Sequence, residues 1–373
     1  MHKRQLIAWG WQILACAGVA ALIFLFAHDA RENLATRHIA TGFHFLSQTA
    51  PIPIGETPIA YTPSVSTYGR AFLIGVLNTL KVALPGCVVA TLWGTAVGLA
   101  RLSRIPLLSR LAAAYVQGLR NVPLLLQLFF WYGIAELLPP PRQALELLPG
   151  VFLSNRGLVF PALSGSGALF LAALVFLAAW VGLPRLFAKA APAKHALVLR
   201  AGGAAALGAL TLVALSPHFA VDPPVLRGFN FRGGVSLSPE YVALFTGLVL
   251  YTASYIAEIV RGGLLAIPRG QWEAGRALGF SEASVLRLVV LPQTLRIVIP
   301  PMISQYLNLL KNSSLAVAIG YQDLASITET ILNQTGQAIE AIALMMAVYL
   351  GLSLSVSLAL NLFDARLKRE RGS

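Results

Sequence analysis

Uncharged stretches about as long as a bilayer is thick recur along this chain, and no other feature constrains its fold as strongly. Ile7 to Ala27 holds no charged residue, and Val82 to Ala100 extends an apolar run that begins at Ala71 and is broken only by Lys81. A helix needs about 20 mostly apolar residues to cross the hydrocarbon core, because lipid leaves no partner for an unpaired backbone group. Six further stretches qualify: Leu111 to Leu137, Gly157 to Pro184, Ala201 to Ala220, Tyr241 to Leu265, Ile297 to about Gly320, and Ala341 to Phe363. The expectation is therefore an all-α, polytopic membrane protein with about eight spans. With 57% hydrophobic and 12% charged residues, an ordinary soluble domain and a disordered chain are both excluded. The first run is longer than the core of a cleaved signal peptide, so it is read as a retained span.

Orientation follows from the cations, since short cytoplasmic loops are enriched in Lys and Arg. Of the 28, 18 fall on the face that carries both termini, seven on the other, and Lys81, Arg120 and Lys311 lie within spans. Both termini are therefore expected in the cytoplasm. The net charge of +13 is then mostly this bias, and nucleic acid is not needed to explain it. Cys16 and Cys87 sit in apolar runs and the six His are scattered, which leaves no disulfide framework, metal cluster or catalytic dyad. No Gly-rich loop ending in GK[ST] is present, so the chain is not expected to hydrolyse ATP.

The outer loops, rich in Pro, Gly, Ser and Thr, read as surface connections. The long inner loop, Ala266 to Leu295, has helix punctuation throughout. Pro268 suits a first turn, Glu273 and Arg276 are spaced for an i,i+3 pair, and Gly279 can take the left-handed conformation that ends a helix. Ser281 suits the N-cap of a second short helix that stops at Leu291-Pro292. Such a pair forms either a knob offering Trp272, Leu278 and Phe280 to a partner's groove or a solvated loop on the headgroups.

At this loop, Glu273-Ala274-Gly275, then Gly279, then Leu291-Pro292, the chain resembles the EAA loop of ABC-importer permease subunits. Asn78-Thr79-Leu80, Arg120-Asn121-Val122-Pro123-Leu124 with Gln127, Ala257-Glu258-Ile259-Val260-Arg261-Gly262-Gly263 and Leu309-Leu310-Lys311-Asn312-Ser313-Ser314-Leu315 narrow the likeness to the polar amino acid uptake branch. The length is similar to that of the larger permease subunits of general L-amino-acid uptake systems of Gram-negative bacteria. The resemblance implies a type I importer core in two blocks, about 71–137 and 239–369. An N-terminal span with its outer loop, 1–70, precedes them, and 138–238 inserts two extra spans between them. It also implies a homologous second permease subunit, a dimer of cytoplasmic ATPases carrying ATP and Mg, and a periplasmic amino-acid-binding protein. The residues of the 266–295 loop would couple to the ATPase. Two positions depart from the family: Gly275, where Ala is usual, and Asn312, where many relatives carry Asp, a loss that argues against a site dedicated to cationic amino acids.

Polar residues within spans are costly in lipid and become pathway candidates: Arg120, Asn121, Gln127, Glu258, Lys311, Asn312, Ser313 and Ser314. Lys311 could meet a substrate carboxylate, or form a structural ion pair or snorkel. Asn312, Ser313 and Ser314 could contact substrate or join helices. Glu258 and Arg261 are placed for a mutual pair, and Pro300-Pro301 should kink or interrupt the seventh span. A secondary transporter driven by an ion gradient is the rival reading, but it calls for intramembrane acids, of which only Glu258 stands well inside, and for internal repeats, which are not evident.

Overall fold

The computed structural model describes residues 2–36, 41–164 and 220–369. The chain divides into two compact units, Met1–Phe129 with Leu244–Ser373, and Phe130–Ala243. In chain order the helices are α1 (His2–Thr36), α2 (Tyr68–Ala100), α3 (Pro106–Asn121), α4 (Leu124–Glu136), α5 (Pro239–Leu265), α6 (Arg269–Ala277), α7 (Glu282–Val285), α8 (Leu291–Asn312), α9 (Leu324–Thr335) and α10 (Ala338–Arg369). Among the described residues, five segments are long and apolar enough to cross a membrane: Trp9–Phe26, Tyr68–Ala100, Pro239–Leu265, Glu282–Ile319 and Ala338–Leu358.

In the first unit, α2 packs on α5 through small residues. A Cβ at Gly94 would stand 2.7 Å from the Ala253 carbonyl oxygen, and one at Gly98 would stand 2.7 Å from that of Ala257. Backbones this close replace the hydrophobic drive that lipid does not supply. Val249, Ala253, Ile256 and Val260 of α5 complete that core with Ala83 and Ala90 of α2 and Val298 and Leu309 of α8. The N-terminal end of α2 is tied down by polar groups. Thr67 caps it, and the Asn78 amide donates to the carbonyls of Glu56 and Gln322 at 3.0 and 2.9 Å. The Leu324 amide, the first of α9, donates to Thr79 Oγ1 at 3.2 Å. Asn78 and Thr79 thus pin two loops to one helix. Phe45, Ala50 and Ile52 of the loop before α2 are buried against Tyr68, Ile327 and Ile331.

Three expectations change. The run Leu111 to Leu137 is two helices, α3 and α4, separated at Val122-Pro123, where proline removes a backbone donor. The expected fourth span begins with strands instead, Gly157–Phe160 and Ala162–Ser164, and residues 165–184 lie outside the described ones. Most of the expected fifth span, 201–219, also lies outside, and Ala220 opens the strand Ala220–Asp222. The helical architecture holds, with local β structure added, and the described residues do not establish eight spans.

The second unit carries that β structure: β1 (Leu145–Leu148), β2 (Val151–Ser154), β3 (Gly157–Phe160), β4 (Ala162–Ser164), β5 (Ala220–Asp222), β6 (Val225–Arg227), β7 (Asn230–Arg232) and β8 (Val235–Leu237). An antiparallel sheet runs β1-β2-β3-β8, with separate pairs β4-β5 and β6-β7. Two-residue turns make the hairpins: Asn155-Arg156 joins β2 to β3, and Gly228-Phe229, with Gly228 at φ +68°, joins β6 to β7. Phe152 stacks on Phe231 at 4.8 Å, and Arg142 lies 4.1 Å over Phe229.

Candidate coupling loop and pathway residues

The 266–295 loop is a helical hairpin. Pro268 is the N-cap of α6, and Gly279, at φ +78°, ends that helix. Backbone bonds from Gly279 to the Arg276 carbonyl (2.9 Å) and from Phe280 to the Gly275 carbonyl (3.2 Å) close the turn. Ser281 Oγ accepts from the Ser284 amide at 3.3 Å, capping α7. Gly275 and Val285 meet in the fold of the hairpin: a Cβ at 275 would lie 2.8 Å from Val285 Cγ2. Packing therefore accounts for a glycine at this position. Ile267, Val285 and Val290 form the small core, and Trp272 packs on it.

Three details of this loop differ from the sequence reading. Arg276 pairs with Glu282 across the turn, Nε to Oε1 at 2.9 Å, rather than with Glu273. Trp272 is half-buried within the hairpin, so the apolar groups left for a partner are Leu278, 75% exposed, and Phe280. Leu291-Pro292 does not stop a helix. A π-helical turn, Leu286–Val290, carries α7 straight into α8, with the Leu291 amide reaching back five residues to the Leu286 carbonyl. Proline in the first turn of α8 has no N–H to give, and a widened turn next to it is one way to rearrange the ladder. Pro300 and Pro301 lie inside α8 without interrupting it. Glu273 and Ala274 stand exposed on α6, and among the described residues Glu273 has no ion-pair partner.

The pathway candidates separate into two clefts and a cap. Arg120, Asn121 and Glu258 line a cleft of about 360 Å³ with Arg101, Gln117 and Tyr255. Glu258 pairs with Arg261, as the spacing suggests, through Arg261 Nε at 3.2 Å, and also with Arg101 from the end of α2. Two cations on one carboxylate make this a structural clamp between α2 and α5. The Arg120 guanidinium lies 4.8 Å over the Tyr255 ring. Gln127 is the cap: its amide donates to the carbonyls of Leu119 and Val122 at 2.8 and 2.9 Å, which the end of α3 leaves unpaired.

Lys311 and Ser314 line a second cleft, of about 510 Å³, between the end of α8 and helices α9 and α10. Ser313 is fully buried and donates to the Leu310 carbonyl at 2.8 Å, and Asn312 is half-buried and absent from the lining. The same cleft holds an acid that sequence reasoning passed over, Glu329 of α9. Its helix, ending at Gly336, is short and lies outside the apolar runs, so only its return alongside α10 places it here.

The model of the family described as "Binding-protein-dependent transport system inner membrane component" matches residues 89–369. The chain belongs to that family. The permease is 45% identical over 372 residues to the "Putative amino-acid ABC transporter permease protein YhdX" of Escherichia coli (strain K12), covering 96% of this chain and 94% of that one. To the "General L-amino acid transport system permease protein AapQ" of Rhizobium johnstonii it is 44% identical over 365 residues, covering 96% and 91%. A solved structure of an amino acid ABC transporter with histidines aligns over 80% of the permease and 95% of that chain, at 21% identity and a TM-score of 0.48. The permease is thus a multi-pass inner-membrane transport component, not an enzyme, and works in a complex with an ATPase and a binding protein.

Proposed function

We propose that the permease forms half of the translocation path of an ATP-driven importer for L-amino acids. Both relatives above are amino-acid permeases by name, one of them an ABC transporter permease, and the capped helical hairpin, with Glu273 unpaired among the described residues and Leu278 and Phe280 exposed, is suited to dock an ATPase. The hairpin is the observation that carries the reading. Because α7 runs into α8 without a break, displacement of α6 and α7 by a nucleotide-driven partner would move α8 as a lever. Lys311 at the far end of α8 would move with it, opening the path alternately to either side. ATP and Mg would be held by a dimer of cytoplasmic ATPases, cargo would arrive on a periplasmic amino-acid-binding protein, and a homologous second permease subunit would complete the path. Both termini would be cytoplasmic. Lys311 would meet the carboxylate of the cargo, while Arg101, Glu258 and Gln127 hold the bundle around the path.

Co-expression with the neighbouring genes' products tests this. The expected result is co-purification with an ATPase and a second permease, and amino-acid uptake by the reconstituted complex only when ATP is supplied. Uptake driven by an imposed proton or sodium gradient without ATP would overturn it.

A further inference from the structure

The cleft at the end of α8 carries two opposite charges that no described residue neutralises in a salt bridge. Lys311 and Glu329 both line it and both are exposed, and among the described residues neither has a salt-bridge partner. Two hydroxyls line the same space. Ser314 Oγ donates to the Lys311 carbonyl at 2.8 Å and Thr328 Oγ1 to the Leu324 carbonyl at 2.6 Å. With their protons committed to backbone, both hydroxyls keep only acceptor capacity, although Thr328 is almost fully buried. Much of the remaining wall is apolar: Val317, Leu332, Ile342 and Met345.

We infer that Glu329, with Ser314, holds the α-ammonium group of the transported amino acid while Lys311 holds its carboxylate. This rests on the import reading above. A donor cation and an acceptor carboxylate offered together, with the polar hydroxyls biased to accept, are complementary to a zwitterion. A cleft of about 510 Å³ with an apolar end leaves the side chain of the ligand loosely specified.

Binding of labelled L-leucine to the purified full complex, without the binding protein, tests the assignment. Competitors are 4-methyl-2-oxopentanoate, which lacks the ammonium, and leucinamide, which lacks the carboxylate. In the wild-type complex neither competitor should displace leucine well. Glu329→Gln should weaken leucine roughly 10- to 100-fold, the loss of a charge-assisted hydrogen bond, without weakening the oxo acid. Lys311→Gln should weaken leucine equally and spare leucinamide, and Glu329→Asp should retain part of the affinity. Unchanged leucine affinity in an assembled Glu329→Gln complex would overturn the assignment while leaving the import reading intact. So would failure of Glu329→Gln, but not of Glu329→Asp, to assemble, which would make Glu329 an ion-pair partner of the second subunit. A wild-type complex that neither binds nor carries any amino acid would reject the import reading itself.

Discussion

Gly275 shows how one missing methyl group sets the geometry of a functional element. Alanine there would favour the helix by about 1 kcal/mol, but its Cβ would press on Val285, and overpacking costs about 1–3 kcal/mol. Gly275→Ala should therefore reduce uptake and ATPase retention severalfold, and adding Val285→Ala should restore both; an undiminished single variant would show that the close contact is unimportant. Glu258 is the second residue with a sharp expectation. Glu258→Gln leaves Arg101 and Arg261 facing each other without a counter-charge, and should lower the thermal midpoint of the purified complex more than Arg261→Gln, which leaves Arg101 paired. Equal midpoints for the two variants would remove the clamp. Sequence spacing made the Glu258–Arg261 pair legible, because i,i+3 neighbours meet on any helix. Arg101 and Glu329 were not, since what brings them to Glu258 and Lys311 is packing between helices distant in sequence. Gln127 also read as a pathway residue. Only the helix break beside it shows that its amide is committed to carbonyls.

At the scale of elements, long apolar runs announced α1, α2, α5, α8 and α10 because bilayer thickness sets their length. The strands of 145–164 and 220–237 did not stand out, being three or four residues each with pairing that depends on partners far along the chain. Gly157-Leu158-Val159-Phe160 looked like the head of a span and is instead the second strand of a hairpin, paired on its other side with β8 and entered at Gly157 with φ +100°. The coupling hairpin was the most legible element, since its caps are local: Gly279 and Ser281 act within a few residues of themselves. Gly279→Val forces a β-branched residue into a left-handed conformation at a cost of about 1–2 kcal/mol, and Glu273→Arg reverses the charge offered to the partner. Both variants should insert in the membrane at normal levels and lose uptake together with ATPase co-purification. Normal uptake and co-purification in both would show that this hairpin is not the coupling element.

For the whole molecule, cation asymmetry is the basis on which cytoplasmic termini are proposed. In a background with Cys16→Ser and Cys87→Ser, a cysteine at Ser236 should react with an impermeant thiol reagent in intact cells, and one at Ala283, on exposed α7, should not. Labelling of Ala283→Cys from outside would invert the topology. The central claim is that ATP hydrolysed by a partner drives this chain through its 266–295 hairpin. The most direct measurement is uptake of labelled L-amino acid into proteoliposomes holding the complete complex and the binding protein, with ATP on the cytoplasmic side, for wild type and Glu273→Arg. The account predicts ATP-dependent uptake in wild type that is lost in the variant; uptake that proceeds without ATP, or that Glu273→Arg leaves unchanged, would contradict it.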